Sequence, residues 1–245
     1  ATRARWRISP GNGSALAGII GNVRETTEPS AFDVQPFASL AAHIVALPPS
    51  CGPVRLVAVD GPGGAGKSTF AGRLAAALGD AQVIHTDDFA AWDVPIEWFP
   101  RLWEQVVEPL AAGRRGRYQR YDWVRRELAE WHDVPLAPVI ILEGVSAGRR
   151  EIADHLALTV WIETPADLRL ARGIERDGEE LRSFWNDWIR AEDAHFAADH
   201  TRERADLVVT GDPRVPHDPD TEFVRLAGLG AGRPGWPGPD GTQAP

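Results

Sequence analysis

Lys67 is the one lysine in a chain that otherwise uses arginine, and its neighbours have the spacing of a phosphate-binding loop. The segment 61–69 reads G-P-G-G-A-G-K-S-T and matches G-x-x-x-x-G-K-[ST], in which backbone N–H groups and the lysine bind nucleotide phosphates. The compact ammonium suits the β- and γ-phosphates, and the hydroxyl that follows it is placed to bind Mg²⁺. We therefore expect a nucleotide site formed by Gly61, Gly63, Gly64, Ala65, Gly66, Lys67, Ser68 and Thr69, with Ser68 also a metal ligand.

Acidic residues follow two apolar segments elsewhere in the chain. Asp87 and Asp88 come after the segment 81–86, and Glu143 comes after the segment 138–142. If both segments are strands of a parallel sheet, their carboxyl ends share an edge with the phosphate loop, where ligands gather. Phosphoryl transfer requires Mg²⁺ held by oxygen ligands and an acceptor hydroxyl that loses its proton. We predict that Glu143 helps to hold the metal and that Asp87 is the general base. A turn-capping role for Asp87 and a plain surface position for Glu143 stay open.

Three arginines recur at helical spacing late in the chain. Arg169, Arg172 and Arg176 are three and four residues apart, which places them on one face of a helix. Guanidinium groups on such a face can stabilise the charge of a phosphoryl group during transfer. We predict this catalytic role for all three, with the alternative of a solvated face that pairs with Asp167, Glu175 and Asp177.

The most basic stretch, residues 114–126, alternates arginines with aromatic residues. In isolation this pattern is compatible with a nucleic-acid patch, but beside a phosphate loop it better fits the wall of an acceptor pocket. We select Tyr121 and Asp122 as candidates for acceptor binding. Burial of the aromatic rings in the core is the alternative.

The elements that must position these residues alternate between strand and helix. Their apolar runs lack clean alternation, which is typical of strands buried on both faces and predicts a single α/β core with a parallel sheet and helices on each side. Strands are expected at 54–60, 81–86, 138–142, 158–162 and 205–210, and helices at 69–78, 100–112, 165–176 and 179–199.

The flanking segments differ in composition from this core. Residues 1–50 are interpreted as an N-terminal extension that is weakly structured up to residue 35 and has a short amphipathic helix at 36–47. Residues 51–212 form the predicted kinase domain. From residue 213 to 245, prolines and glycines predict an extended tail.

Net charge, cysteine count and the length of apolar runs limit the classes of binding partner and the cellular location that we expect. The net charge of −9 argues against nucleic acid as the main partner, because binding phosphates along a strand needs a basic face. A single cysteine fits a reducing cytoplasm, and no apolar run reaches the roughly 18 residues of a membrane span. We expect a cytoplasmic protein with a small-molecule partner and leave its oligomeric state open.

The order of the motifs resembles the uridine kinase branch of the P-loop nucleoside kinases. The phosphate loop, T-D-D-F, Y-D-W, I-L-E-G and A-D-L-R-L-A-R-x-x-x-R-D follow one another over about residues 54–210. The resemblance implies a five-stranded parallel sheet of order 2-3-1-4-5 in a three-layer sandwich. It also implies acceptor contacts by Asp87, Phe89 and Tyr121-Asp122, and lid roles for Arg169, Arg172 and Arg176. The sequence departs from the family at Ala90, where the family has tyrosine.

Together these observations predict an ATP-dependent kinase that uses Mg²⁺ and transfers the γ-phosphoryl group to a hydroxyl of a small molecule, with a uridine- or cytidine-like nucleoside as the acceptor. Transfer to another small alcohol such as pantothenate is the first alternative. A nucleotide-dependent ATPase switch is the second. A GTPase with an N-K-x-D element is disfavoured because the chain has no second lysine to build it.

Overall fold

Five adjacent parallel strands and two antiparallel strands at one edge form a mixed seven-stranded sheet in the computed structural model, which describes residues 32–92 and 96–226. The strands are β1 (Phe32–Pro36), β2 (Arg55–Asp60), β3 (Gln82–His85), β4 (Gly116–Asp122), β5 (Glu127–Val134), β6 (Val139–Glu143), β7 (Leu156–Glu163), β8 (Leu207–Thr210) and β9 (Glu222–Leu226). The α-helices are α1 (Phe37–Ala46), α2 (Lys67–Ala77), α3 (Phe99–Leu102), α4 (Glu108–Ala111), α5 (Ala166–Asp177), α6 (Arg182–Asp199) and α7 (Thr201–Arg204). A π-helical segment, Trp103–Val107, joins α3 to α4, and 3₁₀ turns lie at Thr86–Asp88, Arg150–His155 and Glu179–Leu181.

The parallel strands have the spatial order that the resemblance implies, but the sheet is larger than expected. Across the sheet the order is β1-β9-β8-β7-β2-β6-β3. The five strands β3, β6, β2, β7 and β8 pair in parallel, which is 2-3-1-4-5 when they are counted along the chain. β9 then pairs antiparallel with β8, and β1 pairs antiparallel with β9. The expected number of five strands is therefore wrong.

The two additional strands come from segments that we had placed outside the kinase domain. Apolar side chains join this edge of the sheet to the rest of the fold. The ring of Phe37, which directly follows β1, lies 5.1 Å from that of Phe70 on α2 and 5.3 Å from that of Phe223 on β9. The predicted boundaries after residues 50 and 212 therefore divide one sheet. The predicted weak structure before β1 and the predicted tail beyond β9 fall on residues 1–31 and 227–245, which lie outside the described residues.

Helices cover both faces of the sheet, as the apolar runs predicted. In β2 the side chains of Leu56 and Ala58 belong to the core beneath α3 and α4, while those of Val57 and Val59 belong to the core beneath α1 and α2. Both sets are buried, so a strand in this position needs apolar residues throughout rather than at alternate positions. Among the described residues, no helix combines the length and apolar character required to cross a bilayer.

The basic and aromatic stretch forms a β-hairpin that we did not predict. β4 and β5 pair antiparallel as a separate two-stranded sheet. Its turn is fixed by the carboxylate of Asp122, which accepts the backbone N–H groups of Val124 and Arg125 at 3.0 and 2.9 Å. Tyr118 and Tyr121 are both buried although they are three residues apart, because the strand register shifts between Gln119 and Tyr121. The sequence of this strand therefore lacks the period-two signal that would have predicted it.

Candidate active site

The phosphate loop connects the end of β2 to the start of α2. Gly61, Gly64 and Gly66 adopt φ values of 140°, 74° and 102°, which side chains other than glycine rarely allow. A Cβ on Gly64 would also lie 2.5 Å from the carbonyl oxygen of Arg169, so this glycine permits α5 to pack directly on the loop. The Nζ of Lys67 donates to the carbonyl oxygen of Pro62 at 2.8 Å. Strand, loop and helix thus have the order that the motif requires.

Asp60 holds Gly61, the first residue of this loop, by a hydrogen bond to its backbone N–H. Its carboxylate is fully buried and accepts the N–H groups of Gly61 and Gly148 at 2.6 and 2.8 Å. Burial raises the pKa of Asp60 to about 7, while these N–H groups and the charge of Lys67 act in the opposite direction. The contacts tie the phosphate loop to the loop that follows β6.

Ser68 and Glu143 meet beside the phosphate loop, as predicted for a metal site. The hydroxyl of Ser68 donates to Oε1 of Glu143 at 3.1 Å. A hydroxyl and a carboxylate that lie this close are oxygen ligands of the type that Mg²⁺ prefers, and Mg²⁺ commonly completes its shell with water and phosphate oxygens. The two residues therefore fit a magnesium ion bound together with a nucleotide.

His85 is a third member of this group, and sequence reasoning missed it. Its Nδ1 lies 2.5 Å from Oε2 of Glu143, a hydrogen bond in which the imidazole N–H donates. Burial alone would raise the pKa of Glu143, but this bond, the charge of Lys67 and the Ser68 hydroxyl together lower it. The same bond raises the pKa of His85. The parallel register of β3 and β6 sets His85 opposite Glu143. Aligning the ends of these two predicted strands would therefore have indicated the contact.

Asp87 lies in the 3₁₀ turn after β3 and lines the same cleft as Lys67 and Glu143. The protein walls around it desolvate the carboxylate and raise the pKa of Asp87, although the residue stays accessible from the cleft. The nearby charge of Glu143 raises the pKa further, whereas Lys67, His85 and Arg176 lower it. A carboxylate with a raised pKa beside a phosphate-binding loop is suited to accept a proton.

The cleft has a volume of about 700 Å³, and several aromatic side chains line it together with the polar groups. We call these side chains the aromatic wall; it consists of Trp92, Trp123, Phe184, Trp185 and Trp188. The indole of Trp123 donates to the carbonyl oxygen of Asp87 at 3.0 Å, and the indole of Trp92 donates to the carbonyl oxygen of Trp123 at 3.0 Å. These hydrogen bonds join the hairpin turn to the segment that carries Asp87. Apart from the Y-D-W motif that contains Trp123, sequence reasoning did not select these residues, because aromatic spacing such as that of Trp185 and Trp188 is equally typical of a helix face packed in the core.

A second, smaller cavity of about 380 Å³ lies along the phosphate loop. It shares Gly66, Thr69 and Arg172 with the lining of the main cleft. Its other walls come from α2 and from the segment between β8 and β9, including Arg73, Gly211 and His217. The phosphate loop is thus accessible from two cavities.

Comparison with known proteins places this chain in a family. Residues 85–214, more than half of the chain, match the model of the phosphoribulokinase / uridine kinase family. The chain belongs to this family. Membership supports the predicted P-loop phosphotransferase that uses ATP.

Individual relatives agree with this family at low identity. The uridine kinase of Borrelia duttonii (strain Ly) is 23% identical over 192 residues, which cover 70% of this chain and 92% of the relative. The uridine kinase of Halobacterium salinarum (strain ATCC 700922 / JCM 11081 / NRC-1) is 29% identical over 154 residues, covering 54% and 68%. Among solved structures, one described as a possible uridine kinase from Bacillus stearothermophilus has a TM-score of 0.51 and 23% identity, covering 70% of this chain and 96% of that chain. This last likeness supports the P-loop kinase fold.

Three positions carried over from the family do not line the cleft. Phe89 is buried in the core, where its ring lies 4.8 Å from that of Tyr118, so its predicted contact with substrate is wrong. Tyr121 is also buried and packs edge-on against Trp123 at 5.5 Å. The carboxylate of Asp122 accepts hydrogen bonds from backbone N–H groups of the hairpin turn and from the guanidinium of Arg120. Trp123, the next residue along the chain, takes the cleft position that we predicted for Tyr121 and Asp122.

The three arginines of α5 have different environments. Arg169 is buried and its guanidinium donates to Glu192 at 2.8 Å, so the predicted role in clamping a phosphoryl group is wrong for this residue. Arg172 lines the cleft and donates to the carbonyl oxygen of Gly211 at 3.0 Å. Arg176 also lines the cleft, where it pairs with Asp177 and its guanidinium lies 5.6 Å from the ring centre of Trp185.

Proposed function

We propose that this chain is an ATP-dependent kinase that transfers the γ-phosphoryl group of ATP–Mg²⁺ to a hydroxyl group of a small acceptor, a nucleoside of the uridine or cytidine type. The observation that carries the proposal is the shared cleft: Asp87, the phosphate loop and the Ser68–Glu143 pair all line it. These are the groups that phosphoryl transfer requires, namely an anion site, metal ligands and a base.

The donor side rests on the phosphate loop. The backbone N–H groups from Gly63 to Thr69 and the start of α2 favour the bound phosphates. The ammonium of Lys67, which otherwise donates to Pro62, can reach the β- and γ-phosphates. Ser68 and Glu143 would hold Mg²⁺, which supplies neutralisation of phosphate charge when bound. The second cavity lies along the same loop and is suited to the base and ribose of ATP.

The acceptor side rests on Asp87 and Arg176. As the new O–P bond forms and the bond to ADP breaks, the acceptor hydroxyl gives its proton to the carboxylate of Asp87. Arg176 and Arg172 line the cleft and stabilise the negative charge that is spread over the moving phosphoryl oxygens. The magnitude expected of a positioned base is about 10²-fold or more.

The aromatic wall favours a planar acceptor. Indole and phenyl rings stack on bases and on the apolar faces of sugars, whereas an open-chain alcohol such as pantothenate offers no flat surface to them. Trp92 and Phe184 already lie with their ring centres 4.7 Å apart at this wall. A nucleoside therefore suits the cleft better than the first alternative acceptor.

The test is a panel of acceptors with mass spectrometry of the products. The enzyme with MgATP is incubated with uridine, cytidine, pantothenate and several sugars, and Asp87→Asn is run in parallel. We expect a phosphorylated nucleoside from the wild type and a loss of about 10²-fold or more in the variant, with binding of MgATP retained. Hydrolysis of ATP without any phosphorylated product would support the ATPase switch instead. Undiminished turnover in Asp87→Asn would remove this residue from the mechanism.

A further inference from the structure

Glu192 is a buried carboxylate that the proposed reaction does not use. It lies on α6 and none of its surface is exposed. Its Oε2 accepts the backbone N–H of Gly63 at 2.8 Å and the indole N–H of Trp188 at 3.0 Å. Its Oε1 accepts the guanidinium of Arg169 at 2.8 Å. The three donors come from the phosphate loop, the aromatic wall and α5.

The packing around Gly63 shows how tightly these parts meet. A Cβ on Gly63 would lie 3.0 Å from the ring of Trp185, 3.2 Å from Nε1 of Trp188 and 3.3 Å from Oε2 of Glu192. The glycine therefore allows one face of α6 to lie directly against the phosphate loop. Trp185, Trp188 and Glu192 recur at spacings of three and four residues, as one helix face requires.

Burying the Glu192 carboxylate destabilises the fold unless the hydrogen-bond donors around it bind to its oxygens. Burial raises the pKa of Glu192, and the Gly63 N–H and the charge of Arg169 counteract that effect. An apolar residue could fill the same space without requiring an ion pair. The carboxylate differs from an apolar residue in that it fixes the directions of two N–H groups with a single oxygen.

We propose that Glu192 is a positioning residue that holds the phosphate loop and Trp188 of the aromatic wall in one fixed geometry. The inference rests on the proposed function in that the loop binds MgATP and the wall receives the acceptor. Because Gly63 and Trp188 share one oxygen atom, a change at the loop when phosphates bind alters the hydrogen bond of the indole as well. Arg169 supplies a positive charge that favours the ionised form of Glu192 beside the loop.

The chain offers a matched control for this arrangement. Glu163 also accepts one indole N–H, from Trp161 at 2.8 Å, and one guanidinium, from Arg202 at 2.7 Å. It differs in being partly exposed and in lining neither cavity. Glu163→Gln therefore removes the same kind of contact without touching the loop or the aromatic wall.

The decisive measurement follows the indole ¹H–¹⁵N signal of Trp188 during titration with MgATP alone, with the signal assigned as the one missing from Trp188→Phe. In the wild type and in Glu163→Gln, we expect MgATP to shift this signal. In Glu192→Gln we expect the shift to fall by at least about half, because a neutral amide oxygen binds the two N–H groups more weakly than a carboxylate oxygen, and the amide NH2 would face the guanidinium of Arg169. Glu192→Asp, which keeps the charge beside Arg169 but is shorter, should lose the shift in the same way and serves if Glu192→Gln fails to fold.

The outcomes separate this inference from the function on which it rests. If MgATP binds but the Trp188 signal of the wild type stays in place, or if the signal shifts as far in both Glu192 variants as in the wild type, the inference is overturned while the kinase proposal stands. If MgATP does not bind to the wild type, both are overturned. Steady-state kinetics with uridine give a second readout: kcat/KM should fall about tenfold or more in Glu192→Gln, with a rise in KM for uridine, and remain unchanged in Glu163→Gln.

Discussion

The phosphate loop and the aromatic wall face the same cleft but are made of different parts. The loop is one continuous segment, from Gly61 to Thr69, and it acts largely through backbone N–H groups fixed between β2 and α2. The wall consists of side chains from three segments that are far apart in sequence, at Trp92, at Trp123 and along α6. A backbone site depends on few side chains, whereas a side-chain wall changes shape with each substitution. The donor is therefore set by a local motif, and the choice of acceptor is open to single changes in the wall.

Substitution of the one side chain on which the loop does depend should have the largest effect. Lys67→Ala removes the ammonium that reaches the β- and γ-phosphates, and we expect kcat/KM for ATP to fall by about 10²- to 10³-fold. The fold should persist, because the lysine makes one hydrogen bond, to the carbonyl oxygen of Pro62. Coupled assay of ADP release measures the rate, and circular dichroism checks the fold. A loss below about tenfold would mean that backbone N–H groups alone bind the phosphates.

The loop could be predicted from sequence because its determinants are contiguous. The glycines, Lys67 and Ser68 lie within nine residues, and an apolar run before them and helical spacing after them give the strand and the helix. Asp87 and Glu143 could also be predicted from the sequence, because the carboxyl ends of neighbouring parallel strands lie at the same edge of the sheet. The order of the parallel strands came from the resemblance to a family.

The wall and the sheet edges could not be predicted in this way, because their contacts join residues far apart in the chain. β9 follows a proline-rich stretch and becomes a strand only by pairing with β8 and β1. Arg169 and Arg176 lie on one helix, yet only tertiary packing on α6 shows that the first is buried against Glu192 and the second is not. Helical periodicity in the sequence shows which side chains share a face, but it does not show which residues pack against that face.

The two arginines provide the next test, because both lie on α5. Arg169→Met leaves Glu192 buried without its charged partner, and we expect the free energy of unfolding to fall by about 3–5 kcal/mol. Arg176→Met is the matched change on the same helix. It removes a largely exposed ion pair with Asp177 and should alter stability by less than about 1 kcal/mol. Urea denaturation of both variants measures the difference, and equal losses would contradict the distinct environments of the two side chains.

The aromatic wall should respond through acceptor affinity. Trp123→Leu removes a ring that lines the cleft and a hydrogen bond to the carbonyl oxygen of Asp87, and we expect KM for the acceptor to rise about tenfold with KM for ATP little changed. Trp131→Leu is the control, because this indole is exposed on β5 and does not line the cleft. Equal behaviour of the two variants in acceptor titrations would show that the wall does not bind the acceptor.

The smallest effect that we predict concerns the positive charge that Arg176 on α5 places near Asp87. The base acts when it is deprotonated, so kcat/KM should fall as the pH falls through the pKa of Asp87, which desolvation places above the ordinary range of aspartate. The positive charge of Arg176 lowers that pKa. Arg176→Met should therefore raise the pKa of Asp87 and move the acid limb of the pH profile to higher pH, by less than about one unit.

A matched control separates this local effect from a change in overall charge. Arg182→Met also removes one positive charge, from the start of α6, but Arg182 pairs with Glu179 on the surface and is not among the main charges that act on Asp87. The acid limb should stay in place in that variant. Because the interaction between Arg176 and Asp87 crosses a solvent-filled cleft, added salt should reduce the shift in Arg176→Met. An acid limb that moves equally in both variants would mean that net charge, rather than the position of Arg176, controls the base.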